Sequence, residues 1–333
     1  MNTPHPRQNE ALAAVPPPTP QYRKPPLTLG RLAYLFYFAP KAALKKGPLK
    51  MLRGSMGRRR MCTQLPRLKL PSAVNVDQAP LPLHALIGAK YIPEACLLSS
   101  SLSLSTNGPV QPIFYDDGTL SNHDCDFLAE KLPLAQFRRH EEICQKLEEQ
   151  LPENRFPCLR KLRPAYPHIR KLTDVHLFPE EWKLVSDADI LFFAQPRVML
   201  DYIAQPRAFH MVDIAPAYGV PHQDLEDLAE TTVHPKINVG LCHLPSAAID
   251  WDFVEYCAAD LLARRGFTYY LEQALTAILL ARLKAAPLPA EDYVVYPDLA
   301  IARSAEAAAI HYVDDSRAFY YDFAWQQVIQ PST

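Results

Sequence analysis

The chain has 333 residues, of which 48% are hydrophobic and 21% charged, with a net charge of −1. That is the composition of a globular protein large enough to bury a full core in one large or two modest domains. No apolar run reaches the ~18–20 residues of a bilayer span, and seven cysteines without a C-x-x-C pair support neither a disulfide framework nor a zinc knuckle. Reduced thiols and a cytoplasmic location are the corresponding expectation.

Charge is unevenly spread. Residues 1–60 hold twelve Lys/Arg against a single acid, Glu10, so the remaining chain is mildly acidic. The opening "MNTPHPRQNEALAAVPPPTPQYRKPP" is rich in proline and poor in large aliphatics, which predicts disorder. Next come an apolar run at Leu32–Pro40 and basic residues that culminate in Arg58, Arg59 and Arg60. Residues 1–76 therefore read as a partly disordered or peripheral leader, and 1–65 as dispensable for folding. Its charge suits peripheral contact with an anionic membrane at the inner membrane face. No nucleic-acid partner is expected, because no recognition fold or stacking motif accompanies the charge.

Residues 77–333 read as one α/β domain. "LPLHALIG" (81–88) predicts a strand, "IPEACLLSSSLSL" (92–104) a helix and "VQPIFYDDG" (110–118) a strand closed by a turn. Ser121 and Asp124 form a capping-box pattern for the helix at 121–132. Helical patterns follow at 137–151 and through "CLRKLRPAYPHIRKL", before the central strand "EEWKLVSDADILFF". The second half supplies "HMVDIAPAY" (210–218), "INVGLCHLP" (237–245), a helix from Asp250 to about Arg264, and "YYLEQALTAILLARLKA" (269–285). In that last helix Leu271, Leu275, Ile278 and Leu279 share one face. Strands alternating with helices over short connections predict a mostly parallel sheet flanked by helices.

Asp187 and Asp189 end the central strand between apolar stretches. Residues at i and i+2 share a face of a strand, and ligands of open α/β sheets bind at strand carboxyl ends. Two neighbouring carboxylates repel unless a cation or proton lies between them. A Mn²⁺ or Mg²⁺ ion bridging them to a diphosphate meets that need, since hard cations take oxygen ligands. A Walker loop, a G-x-G-x-x-G loop and the Gly-Asp pair of a haloacid-dehalogenase phosphatase are all absent.

The succession "PIFYDDGTLS", "LVSDADILFFAQP", "NVGLCHLP", "LEQALTAILLA" and "HYVDDSR" resembles GT-A-fold (Rossmann-like) glycosyltransferases over about residues 80–320, distantly like the glycogenin-type family. The resemblance implies a metal-dependent transferase that uses a nucleotide-diphosphate sugar donor and an acceptor whose glycan, lipid or protein nature stays open. It implies that Asp187 and Asp189 bind the ion, with His311 as a third ligand. Arg317 stands for a phosphate-contacting lysine, and Lys171 for a base that reaches the nucleotide. Asn238 and Gly240 would lie beside the donor sugar, and Glu272 and Gln273 would face sugar or acceptor. A satisfied histidine, a plain turn and a solvated helix charge are the structural alternatives for His311, Asn238–Gly240 and Lys171. Two positions depart from the pattern: Ser186 precedes the motif, and Asp314 stands where the family has glycine. Those departures support a second reading, a non-catalytic protein of the same fold that binds a membrane or partner. For an inverting base, Asp213, His222 and Asp224 are undistinguished.

Overall fold

The computed structural model describes residues 48–71, 78–178 and 182–329. The readings of the proline-rich opening and of Leu32–Pro40 fall outside them. The first helix, α1 (Pro48–Gln64), belongs to the stretch read as a leader. Its Met61, and Leu65 just after it, are wholly buried in the core. Close approach explains the seating: a Cβ on Gly57 would lie 2.2 Å from the Tyr321 carbonyl oxygen, and one on Gly54 would touch Ala318. Arg53, Arg59 and Arg60 keep to the exposed face. The expectation that residues 1–65 are dispensable is thus corrected for this helix, since its basic residues mask an apolar face.

The chain then runs through β1 (Leu81–Ile87), α2 (Ile92–Thr106), β2 (Val110–Asp116), α3 (Asn122–Lys131), β3 (Gln136–Arg138) and α4 (His140–Gln150). Both bonds of the predicted capping box form, with the Asp124 N–H donating to Ser121 Oγ at 3.2 Å and the Ser121 N–H to Asp124 Oδ2 at 2.8 Å. The helix predicted from residue 137 starts later, because Gln136–Arg138 pair with β2 as an edge strand. Next come α5 (Pro157–Ala165), α6 (Arg170–His176), β4 (Trp182–Ser186), β5 (Ile190–Phe192), α7 (Arg197–Ala204), β6 (Phe209–Val212) and α8 (His222–Ala229). The chain closes through β7 (Ile237–Pro245), α9 (Trp251–Arg265), α10 (Leu271–Arg282), β8 (Ala286–Pro287), β9 (Tyr293–Val295), α11 (Leu299–Ser304) and β10 (Ala309–His311). A π-helical turn, Tyr320–Ala324, follows Arg317–Phe319.

The main sheet has the order β3-β2-β1-β4-β7-β6-β8. Only β7 runs against its neighbours. A three-stranded sheet, β5-β10-β9, stands beside it. The alternating side chains of each strand feed two cores, as period-two geometry requires. Phe114 joins the core of α1, α2 and the small sheet, whereas Ile113 and Tyr115 join that of α4–α6 and α8–α10. All nine residues of β7 are buried, as suits a strand covered on both faces. Among the described residues no helix is long and apolar enough to cross a membrane.

Candidate metal and diphosphate site

The predicted central strand is really two. β4 stops at Ser186, the chain turns through residues 187–189, and Ile190–Phe192 leave for the small sheet. This handover sets both aspartates at the carboxyl end of β4. The Asp187 N–H donates to the Gly240 carbonyl at 2.7 Å, and the Asp189 carbonyl accepts from the Tyr312 N–H at 3.0 Å. Antiparallel pairing places His311 opposite Ile190 and so beside the turn. His311 Nε2 lies 3.2 Å from Asp189 Oδ1 and 3.7 Å from Asp187 Oδ2. One ligand atom from each of the three residues fits within a span of 4.8 Å.

The proton on His311 is fixed by its other nitrogen. Nδ1 lies 3.0 Å from Asn238 Oδ1, which also accepts the Gly240 N–H at 2.9 Å. Asn238 Nδ2 donates to Asp213 Oδ2 at 2.9 Å, so the amide cannot be turned round without losing both bonds. In a neutral ring Nδ1 therefore carries the proton, and Nε2 is the nitrogen that faces the two carboxylates, where it can take a second proton or a metal ion. A buried acceptor holding the outer N–H of a ligating histidine is the usual support of a metal site. Gly240 makes the approach feasible, since a Cβ there would stand 2.2 Å from His311 Cε1.

Two permanent cations flank the cluster. Lys171 is no solvated helix charge: its ammonium donates to the Val239 carbonyl and contacts Asp187 Oδ1, both at 2.6 Å. Burial works against its charge, but Asp187 and then Glu272 outweigh it and raise its pKa. Arg317 pairs with Asp189 Oδ2 and stays 39% exposed toward solvent. Burial would raise the Asp189 pKa, yet His311 and Arg317 hold it well below the usual carboxylate range. Glu272, in the first turn of α10, is buried and accepts from Thr276 Oγ1 at 3.2 Å. Burial pushes its carboxyl up to about 7, with Lys171 opposing and Asp187 adding to the rise. Gln273 donates to the Ile237 carbonyl at 2.9 Å, which ties α10 to β7.

Both departures from the family pattern are accommodated. Ser186 is buried, and its hydroxyl donates to the Asp187 carbonyl at 3.1 Å. Asp314 takes the left-handed backbone of a glycine, with φ of 45°, and aspartate is among the few residues that do so readily. Of the three undistinguished acids and bases, only Asp213 reaches the site, through Asn238. Asp224 is clasped by Arg264 and Arg265, and His222 pairs with Glu226 on its own helix. Sequence reasoning missed Tyr166, whose hydroxyl accepts from the Glu272 N–H at 3.4 Å and donates to the Tyr269 carbonyl. It also missed His168, which feels the charge of Asp187. A lone tyrosine and histidine in a helical stretch carry no signal of such a meeting.

No protein-family model matches the chain, and no curated protein matches it. Among solved structures it is similar to mouse xyloside xylosyltransferase 1 in the apo form, with 12% identity over 70% of this chain and 98% of that one at a TM-score of 0.48. It is also similar to the galactosyltransferase LgtC in complex with donor and acceptor sugar analogues, at 9% identity, 75% and 95% coverage and a TM-score of 0.49. A third is core-mannan synthase A from Aspergillus fumigatus in its Mn/GDP form, at 10% identity, 66% and 74% coverage and a TM-score of 0.43. What the Asp187–Asp189–His311 cluster can do follows from its own geometry.

Proposed function

We propose that the protein is a metal-dependent glycosyltransferase of the GT-A kind, distantly like the glycogenin type, moving a sugar from a nucleotide-diphosphate donor to an acceptor. One observation carries this reading: His311 Nε2 and the carboxylates of Asp187 and Asp189 converge at the carboxyl end of a strand, with one ligand atom from each within 4.8 Å of the others. Asp187, Asp189 and His311 would hold Mn²⁺ or Mg²⁺, and the bound ion would neutralise charge on the departing diphosphate. Arg317, half open to solvent beside Asp189, is placed to meet diphosphate oxygens as a charge-assisted donor. Lys171 pairs with Asp187 and keeps it aimed at the site. Asn238 positions His311, and Gly240 leaves it room. Glu272, with a pKa near neutrality, and Gln273 open the helix that faces the reacting sugar.

The exposed arginines of α1 support the proposed peripheral contact with an anionic membrane. Flotation with vesicles should then rise with their anionic lipid content. For the main reading, calorimetry with nucleoside diphosphates should give binding in Mn²⁺ or Mg²⁺ and little in chelator. The loaded protein should also hydrolyse its preferred donor slowly. Equal binding with and without a divalent ion overturns the metal site and the transferase reading with it.

A further inference from the structure

Three of the ten large hydrophobic side chains exposed among the described residues fall within four positions: Phe267 at 63%, Tyr269 at 61% and Tyr270 at 42%. They occupy the loop between α9 and α10, immediately before Glu272. We propose that this loop is an aromatic platform on which a pyranose ring of the acceptor stacks, so that the acceptor is a carbohydrate; this rests on the transferase reading above.

The loop is built rather than loose. Tyr166, itself buried, meets Phe267 edge-on at 5.2 Å and 82°, and its hydroxyl joins the Tyr269 carbonyl to the Glu272 N–H. His168 meets Tyr269 edge-on at 4.8 Å and 71°, and Tyr269 meets Tyr270 at 5.4 Å and 88°. Gly219, at φ 69°, lets the neighbouring loop close against it, for a Cβ there would stand 1.8 Å from Thr268 Oγ1. A T-shaped contact covers the face of at most one ring of the pair, and Phe267 and Tyr269 remain mostly exposed. The platform borders the candidate site, because Gln273, three residues past Tyr270, donates to the Ile237 carbonyl beside Asn238, which holds His311.

The chemistry selects a sugar. Aromatic faces carry negative charge and attract the partly positive C–H face of a pyranose, while the tyrosine hydroxyls and His168 can bond the hydroxyl rim. An alkyl chain has no such rim. A nucleobase would also stack, so nucleotide affinity is followed in the same variants. The platform itself leads into α10, which is tied to β7 through Gln273.

Saturation-transfer NMR of the full chain loaded with Mn²⁺ and a nucleoside diphosphate tests this, with methyl pyranosides of glucose, galactose, mannose and xylose, lactose and maltose as probes. At least one sugar should receive saturation at its ring C–H protons. Its affinity should fall about three- to tenfold in Phe267→Ala and in Tyr269→Ala, while Tyr269→Phe retains most of it. No sugar binding by the wild type, or equal binding by the alanine variants, overturns the platform. So does a parallel loss of nucleotide affinity in those variants, which would assign the rings to the base. Nucleotide calorimetry on the same samples separates the two readings: a wild type that binds sugar but no Mn²⁺–nucleotide upholds the platform and sinks the transferase.

Discussion

Two carboxylate clusters in this protein use similar residues to opposite ends. Asp224 receives Arg265 Nε on one oxygen at 2.6 Å and Arg264 Nη1 on the other at 3.0 Å, and hydrogen bonding to Arg265, together with both guanidinium charges, lowers its pKa. Every lone pair it offers inward is answered by a group that cannot give up its charge. Asp187 and Asp189 also have a cation each, Lys171 and Arg317. Between them, however, stands His311, whose Nε2 faces both carboxylates. The first cluster is saturated and joins α8 to α9. The second gathers three side chains that each offer a ligand atom within 4.8 Å of the others.

That contrast can be broken most forcefully by removing a charge. Asp187→Asn and Asp189→Asn should each weaken Mn²⁺–nucleotide binding a hundredfold or more, on the order of 3 kcal/mol, measured by calorimetry. Asp224→Asn should lower the melting temperature and leave that binding unchanged. If Asp224→Asn costs as much nucleotide affinity as Asp187→Asn, the distinction between the clusters fails.

The second test uses pH. Burial pushes the Glu272 pKa from the ordinary 4.5 up to about 7, so the folded protein holds this proton where the unfolded chain releases it. Its stabilising contribution is full below about pH 4.5 and is lost as pH rises through 7, a difference of about 3 kcal/mol. Urea titrations of wild type and Glu272→Gln between pH 4.5 and 8 should show the variant gaining relative stability as pH rises. Parallel curves would mean that Glu272 titrates normally. A smaller effect is expected from Gly240→Ala, which displaces the His311 ring without removing any ligand. Metal-dependent binding should drop about ten- to a hundredfold, with nucleotide binding in chelator unaltered. The smallest should be Asp314→Gly, which relieves a left-handed aspartate and stabilises by about 0.5–1 kcal/mol after glycine's larger unfolded-state entropy is counted.

The strands of the main sheet were legible because they are short, mostly apolar runs, as in "INVGLCHLP" and "LPLHALI", long enough to register as buried strands. So was the capping box, which is local chemistry between Ser121 and Asp124. The small sheet was not, since Ile190–Phe192, Tyr293–Val295 and Ala309–His311 are three residues each and too short for periodicity to register. At the site, the spacing of Asp187 and Asp189 was visible as a motif. The partners that define its chemistry are remote: Lys171 reaches Val239 and Asp187, and His311 reaches Asn238 across 73 positions. A helical lysine looks the same in sequence whether it points to water or to a buried carboxylate. Nor does an arginine-rich helix announce that Met61 is buried beneath it.

The seating of α1 has a consequence in time. Arg60 donates to the Asp322 carbonyl across 262 positions, and Gly57 meets Tyr321 in the same turn. The ribosome therefore finishes this helix long before it makes the surface that covers Met61. Until then the growing chain carries an uncovered apolar stripe of the sort chaperones bind. Arg317 and His311 emerge in that same late stretch, so the Asp187–Asp189–His311 cluster is completed only as the helix finds its seat. A chain begun near Val74 should lack the stripe and also the brace behind Arg317, and should melt lower than one begun at Pro48.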